Sequence, residues 1–82
     1  MKRILDDGMS VNITGGQIKK YRKKACLSQR QLSEKLELEA VYTCRGSISR
    51  IESGQRAVTD IELFAIAKVL GVSVEMLFAK DE

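Results

Sequence analysis

Three times in this chain a Ser or Thr stands three residues ahead of a Gln or Glu at the head of a helix-like run: Thr14/Gln17, Ser28/Gln31 and Thr59/Glu62. In such a capping box the hydroxyl accepts from a backbone N–H of the first turn, and the longer side chain accepts from the cap's own N–H. Each pair therefore marks a helix start. Three starts within 82 residues restrict the chain to short helices joined by brief connections. Strict apolar and polar alternation occurs nowhere outside segments better explained as helix, and no Asn-Gly turn pair is present. The expected fold class is all-α.

Five helices follow from the spacing. The first is expected from Gly15 to Lys24, with Ile18, Tyr21 and Ala25 turned inward and Lys19, Lys20, Lys23 and Lys24 turned to solvent. The second runs from Gln29 to Leu36 or Leu38 and buries Leu32 and Leu36. A mixed stretch, Glu37 to Thr43, separates it from a short third helix, Cys44 to Glu52, with Ile48 and Ile51 on one face and Gly54 as its stop. The fourth, Asp60 to Leu70, repeats Leu63, Ile66, Ala67 and Leu70 at i, i+3, i+4, i+7 before Gly71. The fifth, Val74 to Phe78, is capped by Ser73. Leu27, Leu32, Leu36, Ile48, Ile51, Leu63, Ile66 and Leu70 form the expected core, each contributing roughly 1.5–3 kcal/mol on burial before entropy is subtracted. Residues 1–13 show no period and read as an arm or extension, and residues 14–82 as the domain.

Several function classes are excluded by inventory. The chain has no His, two Cys outside any CxxC pair, no metal-ligand cluster and no Gly-rich phosphate loop, so neither an enzyme nor a metal or cofactor site is expected. No apolar run is long enough to span a membrane, and Met1–Ile13 lacks the apolar centre of a secretion signal, which makes the cytoplasm the expected compartment. The net charge of +3 is unevenly placed: residues 17–56 hold ten Lys or Arg against four Asp or Glu, and the remainder four against seven. That split fits a cationic face meeting a polyanion, and from charge alone it fits an ordinary solvated surface equally well.

The third helix carries the chemistry. It opens with Arg45, Gly46 and Ser47 and sets Ser49 and Arg50 between two inward isoleucines. Small residues let a helix approach base edges closely, and an Arg fork grips guanine O6 and N7 bidentately. A merely solvated face more often interleaves Glu with Lys.

Leu27-Ser28-Gln29, Gln31-Leu32-Ser33-Glu34-Lys35-Leu36, Ile48-Ser49-Arg50-Ile51-Glu52-Ser53-Gly54 and Ile66-Ala67-Lys68-Val69-Leu70-Gly71-Val72-Ser73 together resemble the Cro/C1-type helix-turn-helix family, which includes lambda repressor and the Xre-type regulators. The resemblance covers about residues 15–78 and implies a five-helix, lambda repressor-like DNA-binding domain that reads the major groove with its third helix. It implies that Gln29 bonds a phosphate and braces the start of that helix, with Arg30 beside it at the DNA. Arg45, Gly46, Ser47, Ser49 and Arg50 then occupy the base-facing region, and Ser53, Gln55 and Arg56 follow the phosphates. Arg22 and Glu52 are expected to pair with each other across the core, not with DNA. Of the four lysines of the first helix, one or two are expected to touch phosphate.

Two departures from the family pattern stand out. Between Leu36 and Ile48 lie the eleven residues Glu37–Ser47, where the family usually has about six, so the turn is enlarged. The excess either lengthens the second helix or forms a loop that packs Val41 or Tyr42 on the core. Cys26 stands where the family usually ends its first helix with Gly, at a left-handed position that costs another residue about 1 kcal/mol.

A monomer of this size covers too little DNA for tight specific binding. The expected partner is therefore double-stranded DNA bearing a palindromic operator, met by a homodimer, with no small-molecule effector. Val74, Met76, Leu77 and Phe78 either supply the dimer surface or cap the core, with Phe64 a second candidate. The expected function is a transcriptional regulator, a repressor in the first instance; the alternative is an antitoxin or similar partner protein whose helix-turn-helix serves DNA-linked autoregulation.

Overall fold

A computed structural model describes residues 10–79. Five helices occupy them: α1 (Gly15–Lys24), α2 (Gln29–Leu38), α3 (Arg45–Glu52), α4 (Asp60–Leu70) and α5 (Val74–Phe78), with no strand among the described residues. None of these helices is long and apolar enough to cross a membrane. Residues 1–9 of the expected arm lie outside the described residues.

Two of the three capping boxes form as the sequence predicts. Gln31 N donates to Ser28 Oγ and Ser28 N to Gln31 Oε1, at 3.0 and 2.8 Å. Glu62 N and Thr59 N make the equivalent pair with Thr59 Oγ1 and Glu62 Oε1 at α4. Ser73 Oγ accepts from Met76 N at the head of α5. The Thr14/Gln17 box does not form. Thr14 already has helical backbone angles, and its buried hydroxyl has no hydrogen-bond partner among the described residues. Asn12 takes over the capping, its Oδ1 accepting from Thr14 N at 3.1 Å and Gly15 N at 2.7 Å, an Asx-type turn. Gln17, released from the cap, donates to the Met76 carbonyl and ties α1 to α5.

The core gathers Ile18, Leu32, Leu36, Ile48, Ile51, Leu63, Ile66 and Leu77, with Ala65 and Ala67 between them. It differs from the sequence expectation at three leucines. Leu27 and Leu70 are only half-buried, whereas Leu77 is fully buried because the short α5 folds back against α1 and α4. Ala25 faces solvent, since α1 stops at Lys24. Tyr21 is half-buried beneath the ammonium groups of Lys20 and Lys24, which lie 5.3 and 5.5 Å from its ring centroid.

Two close passages fix how α1 and the chain before it meet α3. A Cβ on Gly15 would collide with the Ile51 carbonyl, so only glycine lets α1 cross there. Gly54 has φ of +79°, and Ser10 occupies the space where a side chain would stand. Cys26 takes the left-handed conformation expected of it, φ 59°, in a turn where Cys26 N and Leu27 N donate back to the carbonyls of Lys23 and Arg22.

The enlarged turn is a built loop. After Leu38 the chain reverses through Ala40, left-handed at φ 61°, and Val41 N donates to the Leu36 carbonyl at 2.9 Å. Val41 packs on the core while Tyr42 points out, 78% exposed. Thr43 turns inward again: its hydroxyl donates to Glu62 Oε2 at 2.9 Å, and its carbonyl accepts from Ser33 Oγ at 2.8 Å. Glu62 is thereby the hub of three segments, accepting from Thr43, from the Thr59 cap and from both terminal nitrogens of Arg56, at 3.0 and 2.9 Å.

Candidate nucleic-acid interface

The third helix is aimed by its isoleucines. Ile48 and Ile51, three residues apart and each 1% exposed, face the core, so the residues between and beside them are turned outward. Arg45, Gly46, Ser49 and Arg50 are all exposed. Among the described residues neither the Arg45 nor the Arg50 guanidinium has a hydrogen-bonding or ion-pairing partner. A Cβ built on Gly46 meets nothing closer than an Arg50 nitrogen at 3.9 Å, and its φ is an ordinary one. Nothing among the described residues demands glycine there. A close external approach would.

Ser47 is half-buried, and its hydroxyl accepts from the Cys44 thiol at 3.4 Å, so of the five base-region residues it is the one turned partly inward. Cys44, extended in backbone, is the N-cap of α3. Its exposed thiol is held below the usual cysteine range, first by the Ser47 hydroxyl, which can turn to donate to the deprotonated sulfur, and then by backbone N–H groups of the same helix start.

The far end of α3 is locked from three directions. Arg22 reaches across from α1, 7% exposed, and pairs through Nε and Nη2 with both carboxylate oxygens of Glu52, at 2.6 and 3.1 Å. Its remaining terminal nitrogen donates to the Leu27 carbonyl at 2.7 Å. Gln29 Nε2 donates to Glu52 Oε1 at 3.1 Å. The ion pair is thus the internal one expected of these residues. Gln29 differs from its expectation: it braces the last residue of α3, not the first, because Glu52 turns back toward the start of α2.

Sequence reasoning missed the third tie, Asn12. Its Nδ2 donates to the carbonyls of Ile51, in the last turn of α3, and Arg56, in the connection beyond it, at 2.9 and 2.8 Å. Val11 N adds a bond to the Gly54 carbonyl. The only signal in the sequence was an Asn two residues ahead of Thr14, which competes with the Thr for the same cap.

The phosphate-side residues divide. Arg30 is exposed and holds only a surface i,i+4 contact with Glu34 at 3.4 Å, worth about 0.5 kcal/mol or less and readily exchanged. Ser53 and Gln55 are exposed where the chain leaves α3. Arg56, expected along the phosphates with them, is committed instead to Glu62 and to the Ala57 carbonyl. Its guanidinium holds Glu62 down to a pKa of about 2 against burial, which alone would raise it.

The comparisons with known proteins agree with this geometry. A family model described as helix-turn-helix matches residues 18–77. Among solved structures, the chain is similar to the restriction-modification controller protein C.AhdI from Aeromonas hydrophila, with 25% identity, a TM-score of 0.68, and coverage of 79% of this chain and 87% of that one. No curated protein sequence matches it significantly. With the match spanning α1 through most of α5, a lambda repressor-like arrangement of five helices, and α3 presented by Ile48 and Ile51, this chain belongs to the helix-turn-helix family of the Cro/C1 type, whose members are DNA-binding regulators of transcription.

Proposed function

We propose that the protein regulates transcription by binding one two-fold symmetric duplex site as a homodimer, each copy laying α3 in a major groove. In this reading Arg45, Ser49 and Arg50 meet base edges and Gly46 lets the helix sink close to them. Gln29, Arg30, Ser53 and Gln55 meet backbone phosphates and fix the register. Arg56 is assigned to the fold and Ser47 to the helix start. A dimer seated in the groove excludes other proteins from the same stretch, which makes repression the direction of control.

The observation that carries the reading is the pair of exposed guanidinium groups at Arg45 and Arg50, unpartnered among the described residues and flanking a glycine that those residues do not require. The likeness to a restriction-modification controller protein supports a controlling role for this chain as well. Selection of bound duplexes from a random pool tests it. A consensus with two-fold symmetry, half-sites about one helical turn apart and affinity falling steeply with salt is the expected result. No enrichment, or enrichment without symmetry, refutes it.

A further inference from the structure

The dimer surface expected on α5 is largely used up by the fold. Leu77 is fully buried and Val74 packs on the core, leaving Met76 and Phe78 partly exposed. The larger apolar surface lies on α4, where Ile61 is 69% and Phe64 67% exposed beside a groove floored by Val41 and Ala65. Among the described residues neither large side chain belongs to the core or packs against it, and the groove contains no residue of α3. An occupant of this face therefore leaves Arg45, Ser49 and Arg50 free.

The charges around the patch say what fits it. Asp60 and Lys68 stand four residues before and four after Phe64 on the same helix, close to one face at helical spacing. A two-fold axis through Phe64 sets α4 antiparallel to a second α4. It brings Phe64 against its own copy, Asp60 opposite the second copy's Lys68, and Lys68 opposite the second copy's Asp60. An isologous contact must be self-complementary in this way. Lys68 already holds Glu39 at 2.7 Å but is 62% exposed in its side chain, and an ammonium has three donors, so a second carboxylate can join. We infer that the occupant is a second copy of this chain, docked α4 to α4 with Phe64 at the axis. This deepens the dimeric reading above and rests on it.

Sedimentation equilibrium of the full chain without DNA tests the inference. The wild type is expected to be a dimer at micromolar concentration. Phe64→Arg, which sets two like charges on the axis, is expected to weaken self-association at least tenfold, while circular dichroism shows the helices intact because the side chain is exposed. Phe78→Arg is expected to leave the dimer in place. Asp60→Lys should weaken association, and adding Lys68→Glu in the same chain should restore it. A monomeric wild type, a Phe64→Arg dimer of unchanged strength, dissociation by Phe78→Arg alone, or a double variant no stronger than Asp60→Lys each overturns the assignment. So does a wild type that stays monomeric alone yet binds a different protein through Phe64. Because no DNA is present, failure here leaves the assignment of α3 standing, whereas a duplex selection that fails for a chain shown to dimerise through Phe64 overturns the assignment of α3 alone.

Discussion

Acid should undo this fold at one identifiable carboxylate. Glu62 is 8% exposed and joins the enlarged loop, the α3–α4 connection and the α4 cap through Thr43, Arg56 and Thr59. Chiefly because of Arg56, its pKa is lowered from 4.5 to about 2. A carboxylate depressed on folding binds its proton less well in the native state than in the unfolded one. Its stabilisation is therefore fully present above the unfolded value and is lost as pH falls through the folded value. At 1.36 kcal/mol per unit the difference amounts to roughly 3 kcal/mol at neutral pH, of which about 2 kcal/mol is gone by pH 3. Glu62→Gln keeps an acceptor for the Thr59 cap and removes the charge. The assay is urea unfolding of both proteins at pH 7 and pH 3. The variant should be less stable at pH 7 by a few kcal/mol, and its gap to the wild type should shrink by about 2 kcal/mol at pH 3. A gap that stays constant between the two pH values refutes the assignment of the lowered proton affinity to Glu62.

Two further substitutions separate fold from reading. Arg22→Leu strands the Glu52 carboxylate, 3% exposed in its side chain, and should cost about 3–5 kcal/mol in chemical denaturation. A loss below about 1 kcal/mol would mean that solvent reaches the pair. Gly46→Leu places a bulky side chain where the protein leaves open space, so thermal stability should hold or rise by up to about 1 kcal/mol while affinity for the selected duplex falls at least tenfold. Unchanged affinity would remove Gly46 from the interface.

What could be read in the sequence was local. Ile48 and Ile51 at a spacing of three set which face of α3 turns inward, and two capping boxes located the starts of α2 and α4 because each box is complete within four residues. The pairing of Arg22 with Glu52 follows from the family resemblance. The errors came where a distant segment competes with a local one. Thr14 lost its cap to Asn12, whose other hydrogen bonds reach Ile51 and Arg56, and no spacing rule connects residues so far apart. The sequence leaves Leu77 open between core and surface, because a five-residue helix is too short for its pattern to choose. Arg56 resembled a phosphate contact by position until Glu62, six residues on, proved to be within reach. Val41 and Tyr42 were indistinguishable in the enlarged turn, since the left-handed step at Ala40 decides which of them turns inward.

The central claim is that Arg45 and Arg50 read bases. Its most direct test is the affinity of Arg45→Ala and Arg50→Ala for the selected duplex and for every single-base-pair variant of it. The expected outcome is a loss of about 1–3 kcal/mol for each substitution, accompanied by lost discrimination at one or two base pairs per half-site and unchanged discrimination elsewhere. Equal weakening on all duplexes, or no weakening, would contradict it.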